Sequence, residues 1–456
     1  MLTKSLRIDS GRYFHCWMPT LKPNGKGYGL FLIPNQKTLS RISLLFLMSS
    51  LPALTQAESL KQLVMSALMD HPAIQAQQSQ KEASEAGEES AKWQFYPTPV
   101  VNVQSHYGTP GDRSYSGDPA AVSLGLKQPI FTGGRLTAGL NKAKAGVLSS
   151  NAAVDEISQT IALQVVQSYS EWMAGYLKTQ VYEKNMTIYQ RLRDMVTRRV
   201  QQGASSESDL VLIVSRVESL IADTATANAQ MKAALGRLGQ LMGRSITNNE
   251  LSNSITEPYQ LDDDLEILLD QAPLINPSIQ KAKALALIQE AVIDERRANI
   301  FPEVVARVEE QVGNINYTNN TADTRVFLEA STRFGAGLST LSDISGARAQ
   351  YQAALDEVES QQRTLSTQII ADYTLASSSK IRLVALQQSM QASEEIFQSY
   401  DRQFLAGKRT WYDTMNSIRD LINIDTQLAD TQTSRLLSTW RLAIYTQGVA
   451  SVVRGG

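Results

Sequence analysis

His-Pro-Ala-Ile, residues 71–74, recurs 205 positions later as Asn-Pro-Ser-Ile, residues 276–279. Working outward from this pair, Gly203 recurs as Gly407 at an offset of 204, and each of these glycines stands six residues before an aspartate. Because the offset stays nearly constant over the length of the chain, the pattern indicates an internal duplication. The sequence therefore predicts a fold built from two copies of one structural unit.

The first part of the chain has the composition of a secretory signal peptide. Residues 1–57 hold seven of the 43 lysines and arginines but one of the 45 acidic residues, and they include an apolar run at 42–48. This run is too short to cross a bilayer, and small residues typical of a cleavage site follow it. We therefore expect a signal peptide at 1–57, repeat 1 at 58–257 and repeat 2 at 258–456. A buried N-terminal helix is the alternative for the first segment.

Charge and residue counts argue against several classes of function. Without residues 1–57, the remaining 399 residues carry 36 basic and 44 acidic side chains, a net charge of −8, whereas nucleic-acid binding requires a basic surface. The single cysteine, Cys16, lies in the predicted signal peptide, and only His71 and His106 remain as histidines afterwards. We therefore predict no disulfide, no metal site, no cofactor and no enzymatic activity.

Proline placement and apolar periodicity predict long helices. All 14 prolines precede residue 303, and none lies between Pro129 and Pro258. Since proline interrupts helices, these proline-free tracts favour helix. Apolar residues recur every three or four positions from Val154 to Tyr176, as in helices that pack along one stripe. The predicted helices span about 135–202, 206–243, 342–405 and 410–450. Helices of this length cannot bury their stripes alone and must pack on each other and on other chains.

Segments of alternating apolar and polar residues precede each long helix pair. They lie at 94–107, 121–130, 303–312 and 326–334. About ten residues with one apolar face fit a strand of a membrane β-barrel, although an ordinary half-exposed sheet fits the alternation nearly as well. Each repeat is thus expected to contain a short helix, two strands and a long helix pair. Four strands cannot enclose a lumen and open edges cannot face lipid, so several chains must pool their strands, and three copies would give twelve.

The turn from the second strand into the first long helix carries a recognisable motif. Gln-Pro-Ile-Phe-Thr-Gly-Gly-Arg, residues 128–135, resembles the strand-to-helix signature of the TolC family of outer-membrane factors, and the resemblance extends over 58–456. Glycine suits such a sharp turn because it tolerates positive φ. The second repeat departs from the signature but keeps glycines in this region. The candidate junction residues are Pro129, Gly133, Gly134, Gly335 and Gly337.

This resemblance implies a fold and a set of partners. The fold would be mainly α with membrane β: a homotrimer with a twelve-stranded outer-membrane β-barrel continued by a long periplasmic α-helical barrel. The chain would conduct cargo passively and would contact outer-membrane lipid, a periplasmic adaptor and an inner-membrane exporter of the ABC or proton-driven type. Residues 406–413 are similar to the agglutination-protein branch, which serves type I secretion of large adhesins.

The resemblance also places a gate at the periplasmic tip. Arg409 would face Asp209, and Asp413 would point its carboxylate into the aperture, where three copies would form an acidic ring that favours cations. A second acid of the family pattern is replaced by Asn416. The alternative is that both aspartates only stabilise helix N-termini. The candidate gate residues are Ser208, Asp209, Arg409, Asp413 and Asn416, and the candidate helix-turn tips are Gly203 and Gly407.

Three functions remain open at the level of the sequence. The first is the outer-membrane exit duct of a tripartite export system, most simply one for type I protein secretion. The second is the outer-membrane factor of a multidrug efflux system. The third belongs to another class, a periplasmic coiled-coil adaptor or scaffold, which would explain the long helices and the leader but not the duplicated strand pairs.

Overall fold

The computed structural model describes residues 57–107, 117–255, 264–315, 323–332 and 339–454 of the chain. Its helices are α1 (Leu60–Asp70), α2 (Pro72–Trp93), α3 (Arg135–Gln201), α4 (Glu207–Met242), α5 (Leu265–Ile275), α6 (Pro277–Ala298), α7 (Ser339–Leu405), α8 (Trp411–Gln447) and α9 (Val449–Arg454). Its strands are β1 (Thr98–Ser105), β2 (Ala120–Phe131), β3 (Glu303–Val312) and β4 (Asp323–Ser331). The predicted signal peptide lies outside the described residues apart from Ala57.

The order of elements repeats, as the duplication predicts. Each half contains two shorter helices, two strands and a long helix followed by a second one, and the long helices α3 and α7 both have 67 residues. At 1.5 Å per residue, such a helix is about 100 Å long. The last predicted helix ends earlier than expected, because Gly448 (φ 77°) separates α8 from α9. Within the described ranges, no helix is both long enough and apolar enough to cross a bilayer.

The duplicated proline motif forms a corner between two helices. The sequence predicted one short helix per repeat, but the structure has two, α1–α2 and α5–α6. Pro72 and Pro277 occupy the first turns of α2 and α6, and the residue before a proline is kept out of the helical region. His71 caps α2 by accepting the N–H of Ala73 at Nδ1 (3.2 Å), as Asn276 caps α6 with its side-chain oxygen.

The four strands form one antiparallel sheet in the order β1-β2-β3-β4, so the two repeats join through β2 and β3. Strand β1 is shorter than predicted because Phe95 and Tyr96 lie in the turn that ends α2. Cross-strand register places apolar residues opposite one another on one face, as in the row Leu126–Val308–Val326, whose side chains are 45–75% exposed. One face of the sheet is therefore mostly apolar and uncovered in the single chain, although Glu310 and Thr324 lie on it in the row of Leu124.

Both ends of the described chain meet in one buried cluster. Leu63 of α1 and Val453 of α9 belong to the same cluster as Trp172 of α3 and Trp440 of α8. A second cluster joins α3, α4, α7 and α8 near their turns and includes Leu192, Ile213, Phe397 and Ile418. The long helices are thus held along their length by apolar packing, which positions the two turns side by side.

Candidate functional site at the helix-turn tips and the strand-to-helix junction

The two tips have the same backbone geometry. Gly203 (φ 70°) ends α3 and Gly407 (φ 68°) ends α7, both in the left-handed region that glycine adopts without strain. The N–H of the residue after each glycine donates to a carbonyl five residues back, from Ala204 at 2.8 Å and from Lys408 at 2.9 Å. These bonds define a Schellman motif, which stops the helix and reverses the chain. Both predicted tips are therefore the points where a long helix turns back.

The two candidate gate aspartates lie in the first turns of the returning helices, which are capped by Ser206 and Thr410. Asp209 accepts the N–H of Ser206 at 3.0 Å, and its own N–H donates to the Ser206 hydroxyl at 3.2 Å. In the second repeat, the N–H of Asp413 donates to the Thr410 hydroxyl at 3.2 Å, and this hydroxyl donates to the Asp413 carboxylate at 2.8 Å. Both acids thus lie in a helix first turn, and Asp209 also completes a capping box with Ser206.

The contacts of Arg409 differ from the expected pairing with Asp209. Its guanidinium lies 3.9 Å from the ring centroid of Tyr400, and its Nε is 3.8 Å from Oδ2 of Asp413. Arg409 follows the turn by only two residues, so its side chain folds back over its own hairpin. Within one chain, the expected link between Arg409 and Asp209 is therefore replaced by a cation–π contact and a contact with Asp413.

The Trp411 side chain, which belongs to the other hairpin, affects the pKa of Asp209. Desolvation at the tip raises the pKa of the Asp209 carboxyl, but hydrogen bonds from the Trp411 side chain and from Ser206 outweigh this effect and lower the pKa overall. The gate residues predicted from the sequence included neither Trp411 nor Tyr400. The position of Trp411, directly after the cap Thr410, is the signal that could have identified it.

The remaining predicted gate residues lie close by without joining this link. Ser208 is exposed in the first turn of α4, and Asn416 is half-buried one turn after Asp413 in α8. The structure thus brings all the predicted tip residues to one end of the helices. Among the residues that the structure describes, no group of His, Cys, Asp or Glu side chains is arranged to hold a metal ion.

The strand-to-helix junction of repeat 1 is a close contact between the repeats. Gly133 (φ 60°) and Gly134 (φ 92°) turn the chain from β2 into α3. A Cβ at Gly133 would lie 2.6 Å from the Cβ of Phe301 and 2.8 Å from the carbonyl oxygen of Ala298. Gly133 is therefore required both by its backbone angle and by the space that Phe301 occupies.

Two further features fix this junction. Pro129 faces Val305, and the register between β2 and β3 shifts just after it, because proline has no N–H to donate to the ladder. Nη2 of Arg135 donates to Oε1 of Glu303 at 2.9 Å, which ties the start of α3 to the start of β3. The two other predicted junction residues, Gly335 and Gly337, lie outside the described residues.

The chain is similar in sequence and in fold to known outer-membrane proteins. The family model for outer membrane efflux proteins matches residues 63–244 and 268–446. Outer membrane protein TolC of Escherichia coli (strain K12) is 20% identical over 412 residues, 86% of this chain and 82% of TolC. Proteases secretion protein PrtF of Dickeya chrysanthemi is 22% identical over 352 residues, 73% of each chain. A crystal structure of CusC has a TM-score of 0.75 at 16% identity and covers 85% of this chain and 91% of that one.

These matches bear on the sequence-based predictions in different ways. The similarity to CusC confirms the predicted fold class, long helices with a small sheet, and the two matched segments confirm the internal repeat. The family match covers most of the chain, so the predicted relationship to TolC and the outer-membrane location are also confirmed. The chain belongs to the outer membrane efflux protein family, whose members are outer-membrane channels and not enzymes.

Proposed function

We propose that three copies of this chain form one outer-membrane exit duct. The observation that carries this proposal is the sheet, which has one mostly apolar exposed face and two edges, β1 and β4, without partners among the described strands. Such edges are not tolerated in a bilayer, because unpaired backbone groups cost several kcal/mol each in hydrocarbon. Antiparallel pairing of β4 with β1 of the next copy removes both edges, since each copy contributes an even number of strands.

The two faces of the sheet fit the two sides of a barrel wall. Residues such as Val101, Leu124 and Leu328 are 56–75% exposed and suit lipid. The opposite face carries Lys127, Arg307 and other polar side chains, which suit a lumen filled with water. Below the sheet, the long helices of three copies would continue this lumen as a periplasmic tunnel of about 100 Å.

Within this channel function, we infer that the duct serves type I protein secretion. The name of the relative PrtF refers to the secretion of proteases, and this relative is aligned over 73% of the chain. The similarity of residues 406–413 to the agglutination-protein branch favours the same system. Its partners would be a periplasmic adaptor and an inner-membrane ABC exporter. The second candidate is an efflux duct with a proton-driven exporter, which the efflux description of the matching family supports.

Chemical crosslinking in intact cells distinguishes these two systems. We expect a trimer that stays assembled in detergent when the sample is not heated. We also expect crosslinked peptides that join the tips to an adaptor, which in turn binds an ABC ATPase. A complex with a proton-driven transporter alone would contradict the secretion system but not the duct. A folded monomer in the periplasm would contradict the duct itself.

We further propose that the tip turns form the closed end of this duct. In each chain the Trp411 side chain of one hairpin lowers the pKa of the Asp209 carboxyl on the other, and we propose that three such contacts would have to break together when the end opens. Trp411→Phe keeps an aromatic ring but removes the N–H donor. This variant is expected to raise single-channel conductance in planar bilayers by about twofold or more, because even a bond worth about 1 kcal/mol counts three times.

The neighbouring residue provides a matched control for this experiment. Tyr412 is 56% exposed, so Tyr412→Phe also removes one polar group from the same turn but should leave conductance unchanged. Equal conductance in wild type and Trp411→Phe would show that this link does not hold the tip closed. In that case Arg409→Ser, which removes the stack on Tyr400 and the contact with Asp413, would be the next variant to measure.

A further inference from the structure

One row of the sheet places two cations side by side on its polar face. The register aligns Thr98, Lys127, Arg307 and Phe327 on the four strands, so Lys127 and Arg307 are direct cross-strand neighbours. Like charges that face each other across a ladder destabilise a sheet. The row itself contains no acidic residue that would neutralise them.

The surroundings of Arg307 fix the position of its guanidinium but leave its buried Nε without a hydrogen-bond acceptor. Its guanidinium lies 4.5 Å from the ring centroid of Phe327, and this cation–π contact directs the side chain toward the neighbouring strand β4. Its Nε is buried, is 3.6 Å from Oε2 of Glu309 and has no hydrogen-bond partner. Arg307 is therefore held by a cation–π contact and a loose ion pair with Glu309, and its buried Nε lacks a hydrogen-bond acceptor.

The neighbouring rows offset this charge only in part. Toward the loops, Glu309 lies opposite Arg325 and the row is neutral; toward the helices, Val305 lies opposite Glu329. These three rows together hold three cations and two anions. The row of Lys127 and Arg307 alone carries +2 per chain, which becomes +6 when three copies close the barrel.

We propose that Lys127 and Arg307 form a cationic band inside the barrel that binds multivalent anions, such as groups bearing several phosphates, sulfates or carboxylates. This inference rests on the barrel proposed above, because only closure brings three pairs around one lumen. A ring of Lys and Arg side chains in a narrow pore attracts anions in the same way that carboxylate rings attract cations. The band would thus act on cargo or solutes at the membrane end of the duct, far from the aspartates at the tips.

Block of single channels by inorganic tripolyphosphate tests this band. The probe is added on the side of the strand connections, and the concentration for half-block is measured in wild type, Lys127→Gln and the double variant Lys127→Gln/Arg307→Gln. We expect the double variant to need about tenfold more tripolyphosphate, because it loses six of the charges that face the lumen. The single variant should show an intermediate value, and it retains the stack of Arg307 on Phe327.

A control variant and the conductance itself separate the possible outcomes. Lys142→Gln removes a cation that pairs with Glu295 at 3.2 Å on the helices, so block should stay at the wild-type level. Unchanged block in both Lys127 variants, or an equal loss in Lys142→Gln, would overturn the band while the channel still conducts. If the wild-type protein forms no conducting channel at all, the duct proposed above fails, and the band fails with it.

Discussion

Alanine in place of Gly133 is expected to destabilise the folded chain by about 2–5 kcal/mol, the sum of overpacking and of a left-handed backbone for a residue with a Cβ. The new methyl group would lie 2.6 Å from the Cβ of Phe301 and 2.8 Å from a backbone oxygen. Neither atom belongs to the flexible end of a side chain, so the backbone itself would have to shift. Thermal unfolding in detergent, followed by circular dichroism, measures the effect.

The adjacent glycine isolates the packing part of this effect. Gly134 also has positive φ (92°), but no atom lies within 4 Å of the position of its Cβ. Gly134→Ala should therefore cost only the backbone strain of about 1–2 kcal/mol. If the two variants unfold at the same temperature, the close contact of Gly133 with Phe301 and Ala298 does not contribute to stability.

Asparagine in place of Asp372 is expected to stabilise the chain above pH 7 and to flatten its pH dependence. The Asp372 side chain on α7 is 10% exposed and lies 3.7 Å from Nη1 of Arg441 on α8. Burial raises the pKa of its carboxyl from 3.8 to about 6, and Arg441 offsets this only in part. Because the folded pKa is the higher one, the stability linked to this group is present below pH 3.8 and is lost as the pH rises through about 6.

The size of this effect follows from the shift. A difference of about two pKa units corresponds to about 3 kcal/mol between the two protonation states, and the neutral amide avoids this cost. Arg441 is 38% exposed, so water can solvate it after the substitution. Unfolding temperatures of wild type and Asp372→Asn from pH 4 to pH 8 should diverge as the pH rises. Asp356→Asn, an exposed change on the same helix, should follow the wild type; parallel curves for Asp372→Asn would contradict the burial cost.

The long elements could be predicted from the sequence because their signals are repeated many times. The stripe from Val154 to Tyr176 and the proline-free tracts predicted α3 to within one residue at either end. The break at Gly448 was not predicted, because a single glycine is a weak signal and many glycines lie inside helices without interrupting them. The extra helix in each repeat was missed for a related reason: His71 and Asn276 cap new helices only because Pro72 and Pro277 follow them.

The candidate site was predicted less completely, because side-chain partners depend on rotamers that the chain order does not reveal. The glycines of both tips and of the first junction are where the signature indicated, with positive φ. The partner of Asp209 was expected to be Arg409, but Arg409 folds onto Tyr400, and it is the Trp411 side chain that lowers the pKa of Asp209 from the other hairpin. The roles of these residues in gating stay predictions, which the conductance measurements test.

The meeting of α1 and α9 in one buried cluster also limits when this polypeptide can mature. Leu63 and Val453 both belong to that cluster, and α1 contacts α9 although most of the chain lies between them, so this contact closes a very long loop. Neighbouring strands can pair into hairpins early in translocation. The contact between α1 and α9 can form only after the last helix has been translocated. Until then the chain exposes apolar surface in the periplasm, and this is the period in which chaperones that bind unfolded chains would act longest.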